Sequence, residues 1–168
     1  GPYQLLGIDP AKNIESKVNS KRFKRVVNYF TAQNFSDALR SEPLTKDETE
    51  TISTPDKKAK LIFSVAMFYH LSDPISFARD IEKSLHDEGV AIIQMAYLPA
   101  MIKTNMYDNI VHENVGYYGT HHMKWIMDRV GIEIFDVYEN DVYGGSFRVF
   151  LKKKENSRFS PSQRLIKN

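Results

Sequence analysis

One short stretch of the chain combines side chains that could do chemistry, namely His112, Glu113, Asn114, Tyr117 and Tyr118. An imidazole that titrates near neutral pH can remove a proton from a carbon beside a carbonyl group. A carboxylate next to it can hold that imidazole or a hydroxyl of a substrate. The alternative is a polar turn in which His112 and Glu113 cap the next helix and the two tyrosines pack against it.

A second group of candidate residues follows later in the chain. The pair Gly144-Gly145 permits a close approach of the backbone to another group, or a bulge. Ser146 and Arg148 could hold an anionic group of a substrate, such as a diphosphate, and Tyr143 could contact the same substrate. The alternative for Arg148 is an exposed strand arginine without a specific role.

Two further candidates each come after an apolar run. His70 follows the run 60–67 and precedes Asp73, where its imidazole could orient a substrate or form a hydrogen bond to a loop. A purely structural role for this histidine is equally compatible with the pattern. Asp9 ends the run 3–8, where a carboxylate can accept both ribose hydroxyls of a nucleoside. It could instead simply cap the following helix.

Apolar patterning predicts the strands and helices that would position these residues. The strands are expected at 3–8, 23–27, 60–67, 90–96, 132–138 and 146–151, and the helices at 11–19, 34–39, from Asp73-Pro74 to Gly89 and from Thr120 to Gly131. The alternation predicts an α/β fold whose sheet is mostly parallel, with helices on both faces and a C-terminal antiparallel hairpin. The almost continuously apolar run 60–67 is typical of a strand covered on both faces. Such sheets bind ligands at the carboxyl ends of their strands, where the candidate residues fall.

Composition narrows the classes of function. A chain of 168 residues with 42% hydrophobic and 26% charged residues is typical of one soluble domain. The absence of cysteine excludes disulfides, thiolate metal sites and a thiol nucleophile. Five histidines without a His-x-x-x-His pattern make a resident metal site unexpected, and a net charge of +2 is too small to indicate nucleic acid binding.

Three segments are expected to lie outside the folded core or to be variable. Residues 1–2 are typical of a cleaved affinity tag, 40–58 of a mobile surface loop, and 152–168 of a solvated basic tail. The remaining part, 3–151, is expected to form the domain. No apolar run approaches the ~20 residues that span a bilayer, so we expect a cytoplasmic protein without membrane association.

The order of these motifs resembles the class I S-adenosylmethionine-dependent methyltransferases, and more narrowly the sugar C-methyltransferases that act on nucleotide-linked keto-sugars. The resemblance runs from Tyr3 to Leu151. It is carried by Gly7-Ile8-Asp9-Pro10, by the run from Ser64 to Pro74, by His112-Glu113-Asn114 and by the run from Gly144 to Arg148.

The resemblance implies a Rossmann-like sheet, S-adenosylmethionine as the methyl donor and a nucleotide sugar as the acceptor. It implies that Asp9 binds the ribose of the cofactor and that His70 lies in the substrate pocket. The remaining cofactor-binding residues would be Asn28, Tyr29 and Phe30 near the adenine, with Ala66 and Met67 at the end of a strand. Catalysis would involve His70, His112, Glu113, Asn114 and Tyr117, and substrate binding Tyr118, Tyr143, Ser146 and Arg148.

The chain departs from this family in two respects. It lacks the usual first strand with its glycine-rich cofactor loop, so we expect a truncated domain with exposed sheet edges that could pair in a homodimer. The family often has Tyr-His-Glu-His where this chain has Val111-His112-Glu113-Asn114, and an amide such as Asn114 cannot take a proton. Tyr143 likewise stands where a histidine is common. Either His112 or a tyrosine serves as the base, or the reaction differs, or the chain is a non-catalytic ligand-binding or protein-interaction module.

Overall fold

The computed structural model describes residues 4–13, 21–40 and 57–167. The chain divides into two compact units, Gly1–Lys57 and Lys58–Asn168. The two residues typical of a tag, most of the predicted loop 40–58 and residues 14–19 of the first predicted helix lie outside the described residues.

The first unit contains a parallel pair of short strands and a helix. Strand β1 (Leu5–Ile8) pairs in parallel with β2 (Phe23–Val26), and helix α1 (Ala32–Arg40) follows. The Thr31 hydroxyl oxygen accepts a hydrogen bond from the Asn34 backbone N–H at 3.0 Å, which caps α1 at its start. Both predicted strands and the second predicted helix are confirmed.

The second unit is built on a four-stranded sheet. Its strands are β3 (Ala59–Val65), β4 (Leu85–Ala96), β5 (Ile132–Asn140) and β6 (Ser146–Lys153), in the spatial order β3-β4-β6-β5. Strand β4 is parallel to β3, and β6 is antiparallel to both of its neighbours. Three strands therefore share one direction, which confirms a mostly parallel sheet with a C-terminal antiparallel hairpin. The insertion of β6 between β4 and β5 was not predicted.

Four helices follow the strands of this unit, and two of them pack on one face of the sheet. Their bounds are α2 (Pro74–Ser84), α3 (Leu98–Thr104), α4 (Thr120–Asp128) and α5 (Gln163–Lys167). The core between the sheet and helices α2 and α4 consists of fully buried apolar side chains, including Ile81, Ile93, Met123, Met127, Val149 and Leu151. No helix within the described ranges is long and apolar enough to cross a membrane.

Helix α2 ends earlier than the sequence predicts. It stops at Ser84, because Leu85 adopts an extended conformation and begins β4. Gly89, predicted to end the helix, lies inside β4 instead. A Cβ atom there would lie 2.9 Å from the backbone oxygen of Ala59, so the strand pairing itself requires a glycine at this position. Helix α3 was not predicted.

The face of β3 turned away from the core is open in the described part of the chain. Leu61, Phe63 and Val65 are 51%, 62% and 57% exposed, whereas Ser64 between them is buried. Alternate strand residues point to opposite faces, so one complete face of β3 is uncovered. The prediction that this strand is covered on both faces is therefore wrong for the described residues.

The prediction of a solvated basic tail is wrong at Lys152, whereas Lys154, Arg158 and Arg164 are exposed. Lys152 is only 5% exposed, and its Nζ lies 3.1 Å from a carboxylate oxygen of Glu133 and donates to the Asn156 carbonyl at 2.7 Å. Further on, the Phe159 ring stacks on Phe135 of β5, with ring centroids 4.9 Å apart. Paired charges and an aromatic contact thus hold this segment on the sheet, where composition alone indicated a solvated end.

We expect the Asp73 cap to stabilise the domain measurably. The Asp73 carboxylate accepts the Ser76 N–H at 2.9 Å, and Pro74 occupies the first helical position, as predicted. Replacing Asp73 by Ala should lower the free energy of unfolding by about 1 kcal/mol, measured by urea denaturation. Asp73→Asn should retain most of that stability, because an amide oxygen also caps. Ser72→Ala is the matched control, and an equal loss in all three variants would contradict the cap.

Candidate active site

Three chain segments meet at the edge of the sheet where β3 and β4 end. After β3, the Ala66 N–H donates to the Gln94 carbonyl at 2.9 Å, and the chain then forms the short 3-10 turn Phe68–His70. After β4, the Tyr97 N–H donates to the Gly145 carbonyl at 3.1 Å, just before β6 begins. The pairing of β4 with both neighbours thus brings the end of β3 and the loop before β6 together.

The predicted catalytic segment is bound to this edge through its backbone. The Tyr69 carbonyl accepts two hydrogen bonds, from Val115 N–H at 2.8 Å and from Gly116 N–H at 3.2 Å. The Leu98 N–H donates to the Tyr118 carbonyl at 2.9 Å, and Tyr97 and Tyr118 form an isolated parallel bridge. The segment 109–118 is therefore fixed at the edge although little of it is helix or strand.

His70 is joined directly to that segment. Its Nδ1 lies 2.7 Å from the backbone oxygen of Glu113, and its ring meets the Tyr69 ring edge-on with centroids 4.4 Å apart. The sequence suggested that the Glu113 carboxylate would hold an imidazole. In the structure the main-chain carbonyl of Glu113 does so, and the imidazole is that of His70.

The other polar side chains of the segment differ in their surroundings. His112 is exposed, and its side chain has no hydrogen bond or ion pair within the described ranges. Asn114 Nδ2 and the Tyr117 hydroxyl both donate to the Asn109 carbonyl, at 3.0 and 3.3 Å. Asn114 and Tyr117 thus stabilise the shape of the segment. Asn109, a residue that the sequence did not single out, is their common acceptor.

Two phenols at this edge have a pKa raised above the ordinary value of a tyrosine. Burial raises the pKa of Tyr118, whose ring lies edge-on to Phe68 at 5.2 Å. Burial, followed by the proximity of Tyr143, raises the pKa of Tyr69. A phenol with a raised pKa donates hydrogen bonds at neutral pH and does not act as a base. Tyr69 was also missed by the sequence, although it stands inside a motif that carried the resemblance.

The loop before β6 lies close to helix α3, and its conformation requires glycine at both Gly144 and Gly145. Gly144 and Gly145 have φ angles of +75° and +141°, and a Cβ atom on Gly144 would collide with the Met106 side chain. A Cβ atom on Gly145 would lie 2.6 Å from the Ala100 Cβ. This confirms the close backbone approach. Tyr143, just before the pair, has a φ of +53° and is 77% exposed.

Ser146 and Arg148 are not brought together as an anion site. The Ser146 hydroxyl is buried and donates to the Val142 carbonyl at 2.7 Å, so it supports the loop. Arg148 is exposed on the open face of the sheet, where its Nε donates to Gln94 Oε1 at 2.5 Å. Only Arg148 remains accessible to an anionic group.

The residues predicted to hold the cofactor lie in both units. In the first unit, Asp9 and Asn28 follow β1 and β2 at the same edge of the parallel pair. Asp9 is exposed and its Oδ1 accepts the Ala11 N–H at 2.8 Å, so the carboxylate does cap the turn. Its other oxygen has no partner within the described ranges, and the Tyr29 side chain is largely exposed. A free carboxylate oxygen and an open aromatic ring suit a nucleoside.

The remaining predicted cofactor-binding residues add no polar side chain that could bind the cofactor. Phe30 follows in the same stretch of the first unit, while Ala66 and Met67 stand at the end of β3 in the second. Ala66 has a φ of +53° and uses its N–H in the sheet. No cluster of three or more His, Asp or Glu side chains able to hold a metal ion occurs among the residues described.

The comparison with protein families decides the identity. The family model described as a methyltransferase domain matches residues 1–137, which is most of the chain. The chain belongs to this methyltransferase family. Its strand order and its candidate residues at the strand ends agree with the class I S-adenosylmethionine-dependent fold.

Individual relatives give the same assignment. This methyltransferase domain is 27% identical, over 150 residues, to the C-methyltransferase NovU of Streptomyces niveus, covering 89% of this chain and 32% of that protein. It spans about a third of the length of the curated relatives it matches.

Solved structures share its fold. A proposed S-adenosylmethionine-dependent methyltransferase from Listeria monocytogenes superposes with a TM-score of 0.60 at 13% identity, covering 91% of this chain and 81% of that one. A SAM-dependent methyltransferase from Aquifex aeolicus gives a TM-score of 0.54 at 15% identity, covering 88% and 68% of the two chains.

Replacement of Gly145 in the methyltransferase domain should test the packing of the loop. Gly145→Ala places a Cβ 2.6 Å from that of Ala100, whereas Gly131→Ala, also at positive φ, meets nothing within 4 Å. Both variants carry backbone strain, which is larger at a φ of +141° than at +78°. Strain and overpacking together should therefore make Gly145→Ala less stable than Gly131→Ala by at least about 1–3 kcal/mol. Urea denaturation measures the difference. Equal losses would show that the loop and α3 are not in close contact.

Proposed function

We propose that the chain is the cofactor-and-substrate core of an S-adenosylmethionine-dependent enzyme that methylates a carbon of a nucleotide-linked keto-sugar. The observation that carries this proposal is the attachment of the segment 109–118 to the His70 turn, which places two imidazoles, His70 and His112, near one strand edge. The similarity to the C-methyltransferase NovU supports carbon as the methylated atom.

The chain's own residues suit the chemistry of C-methylation. A carbon beside a ketone becomes nucleophilic when a base removes its proton and the electron pair moves towards the carbonyl oxygen. An edge histidine, His70 or His112, can take that proton. The protonated phenols of Tyr69 and Tyr118 can donate hydrogen bonds to the developing oxyanion. Removal of the proton and stabilisation of the oxyanion then both depend on groups at the end of β3 or in the segment 109–118.

The residues of the first unit suit the cofactor. S-adenosylmethionine, when bound, supplies an electrophilic methyl group. Asp9 would accept hydrogen bonds from its ribose hydroxyls, and Tyr29, with Asn28 and Phe30, would contact its adenine. Ala66 and Met67, at the end of β3 in the second unit, stay predicted cofactor residues on the resemblance alone.

The acceptor would bind near the exposed side chains of the same edge. Tyr143 could contact the sugar, and Arg148 could pair with the diphosphate of the nucleotide. Glu113, whose carboxylate is exposed, could accept a hydrogen bond from a sugar hydroxyl. We place the reaction in the cytoplasm, because charged nucleotide-linked compounds do not cross membranes by diffusion.

A second candidate function is a non-catalytic interaction module that pairs with another copy through its sheet edge. The position of β3 favours it, because β3 has a strand neighbour on one side only within the described part of the sheet. The two candidates make opposite predictions for cofactor binding.

Transfer of a labelled methyl group tests the proposed reaction directly. The protein is incubated with S-adenosylmethionine carrying a ¹³C-methyl group and with a nucleotide-linked keto-sugar. We expect a new C-methyl signal in the NMR spectrum, with carbon–carbon coupling when the acceptor carbon is also labelled. The control is the same sugar with its ketone reduced to an alcohol, which has no acidified C–H bond. Transfer to oxygen, or equal transfer to the control, would overturn the proposal.

Calorimetric titration with S-adenosylhomocysteine tests the role of Asp9 and separates the two candidates. We expect binding by the unaltered chain and a loss of affinity of about tenfold or more in Asp9→Asn, since a hydrogen bond to a charged group contributes about 1.5–3 kcal/mol. The amide can still accept the Ala11 N–H, so the turn is preserved. Asp37→Asn, on α1, is the matched control. Unchanged affinity in Asp9→Asn would remove Asp9 from the site, and no binding by any variant would favour the interaction module.

A further inference from the structure

The hydrogen bond between His70 and the Glu113 backbone identifies one of the candidate bases. We infer that His70, through its Nε2 atom, is the group that removes the proton from the substrate carbon. This inference rests on the proposed C-methylation and assigns a step within it. The observation that supports it is the 2.7 Å contact between His70 Nδ1 and the Glu113 carbonyl oxygen.

The contact fixes the tautomer of the imidazole. A carbonyl oxygen can only accept a hydrogen bond, so Nδ1 must carry a proton and donate it. In the neutral ring the lone pair is then on Nε2, which is the form a general base requires. Within the described ranges no protein group bonds to Nε2, and the His70 side chain is exposed, so the lone pair is available to a substrate.

The ring is also held in position from several sides. The His70 N–H donates to the Met67 carbonyl at 2.9 Å, which closes the 3-10 turn, and the Tyr69 ring packs edge-on against the imidazole. The peptide of Glu113 is fixed in turn, because the backbone N–H groups of Val115 and Gly116 donate hydrogen bonds to the Tyr69 carbonyl. A base held in this way has little orientational freedom to lose when the substrate binds.

The other candidates lack this arrangement. The His112 side chain has no partner among the described residues, so neither its tautomer nor its ring orientation is set. Asn114 is an amide, and it already donates to the Asn109 carbonyl. Tyr69 and Tyr118 hold their protons at neutral pH, as phenols ordinarily do, and burial raises the pKa of both further. The Tyr117 hydroxyl donates its proton to the Asn109 carbonyl. Among these candidates, His70 therefore combines a fixed tautomer with a free lone pair.

The step balances without any further reactant. The bond between the substrate carbon and its hydrogen breaks, and a new N–H bond forms on Nε2. The C–H electron pair forms a carbon–carbon double bond, and the π pair of the ketone moves to its oxygen, giving an enolate. The imidazolium then passes its proton to solvent. In D₂O, reversal of the step places deuterium on the carbon, and this exchange needs no methyl donor.

Proton exchange in D₂O, followed by ¹H NMR without S-adenosylmethionine, is the decisive experiment. With a nucleotide-linked keto-sugar, we expect the unaltered protein to accelerate loss of the signal of the proton beside the ketone. His70→Asn should lower that rate by a factor on the order of 10² or more. Its Nδ2 can still donate to the Glu113 carbonyl, so the attachment of the segment is retained. His86→Gln, at the opposite end of β4, is the matched control and should exchange as the unaltered protein does.

The design separates a catalytic role from a structural one. If His70 only holds the segment in place, His70→Asn will exchange normally and His70→Ala alone will be impaired, which would overturn the inference. Loss of exchange in His112→Gln, with normal exchange in His70→Asn, would transfer the role to His112. Absence of exchange in the unaltered protein would instead refute the proposed substrate class, and the inference with it.

The tautomer provides a readout that does not depend on activity. Long-range ¹H–¹⁵N NMR of the labelled protein distinguishes the two nitrogens of each histidine ring. We expect neutral His70 to carry its proton on Nδ1. A proton on Nε2 would overturn the inference whatever the exchange rates.

Discussion

Pairing of β4 along both of its edges is the constraint on which the rest of the second unit depends. Because β4 is parallel to β3, their carboxyl ends meet at the same edge of the sheet. Because β4 is antiparallel to β6, the beginning of β6 meets that edge too. The His70 turn, the start of α3 and the glycine loop are therefore neighbours before any side chain contributes. The buried face of β4 against α2 and α4 stabilises this arrangement.

Several polar residues at the site act on the backbone around them more than on a ligand. Asn114 and Tyr117 bond to the Asn109 carbonyl, and Ser146 bonds within its own loop. This division is physically reasonable, since a segment with little regular structure must satisfy its backbone groups in other ways. His70 is different, because its bond to the backbone leaves its second nitrogen free. A polar residue in a motif can thus contribute to a site by stabilising its backbone.

Sequence patterns predicted the positions of all six described strands and the Asp73 cap, because periodicity and capping are local properties. They did not predict that β6 lies between β4 and β5, since strand order is decided by contacts between distant residues. They also misplaced Lys152, because composition cannot show that Glu133 lies opposite it. The sequence did indicate that His70 could form a hydrogen bond to a loop, as it does, but not which group of the loop accepts it. The acceptor is a main-chain carbonyl, which every residue has and no motif reveals.

Ala66 and Tyr143 have a consequence for how the protein responds to heat. Both are non-glycine residues in the left-handed region, and both lie at the same edge of the sheet. Such a conformation costs about 1–2 kcal/mol per residue, which the surrounding packing has to offset. The edge is therefore less stable than the core beneath it, and local loss of its shape precedes global unfolding. On heating, this edge should accordingly lose its shape before the sheet melts, and that local loss should be reversible.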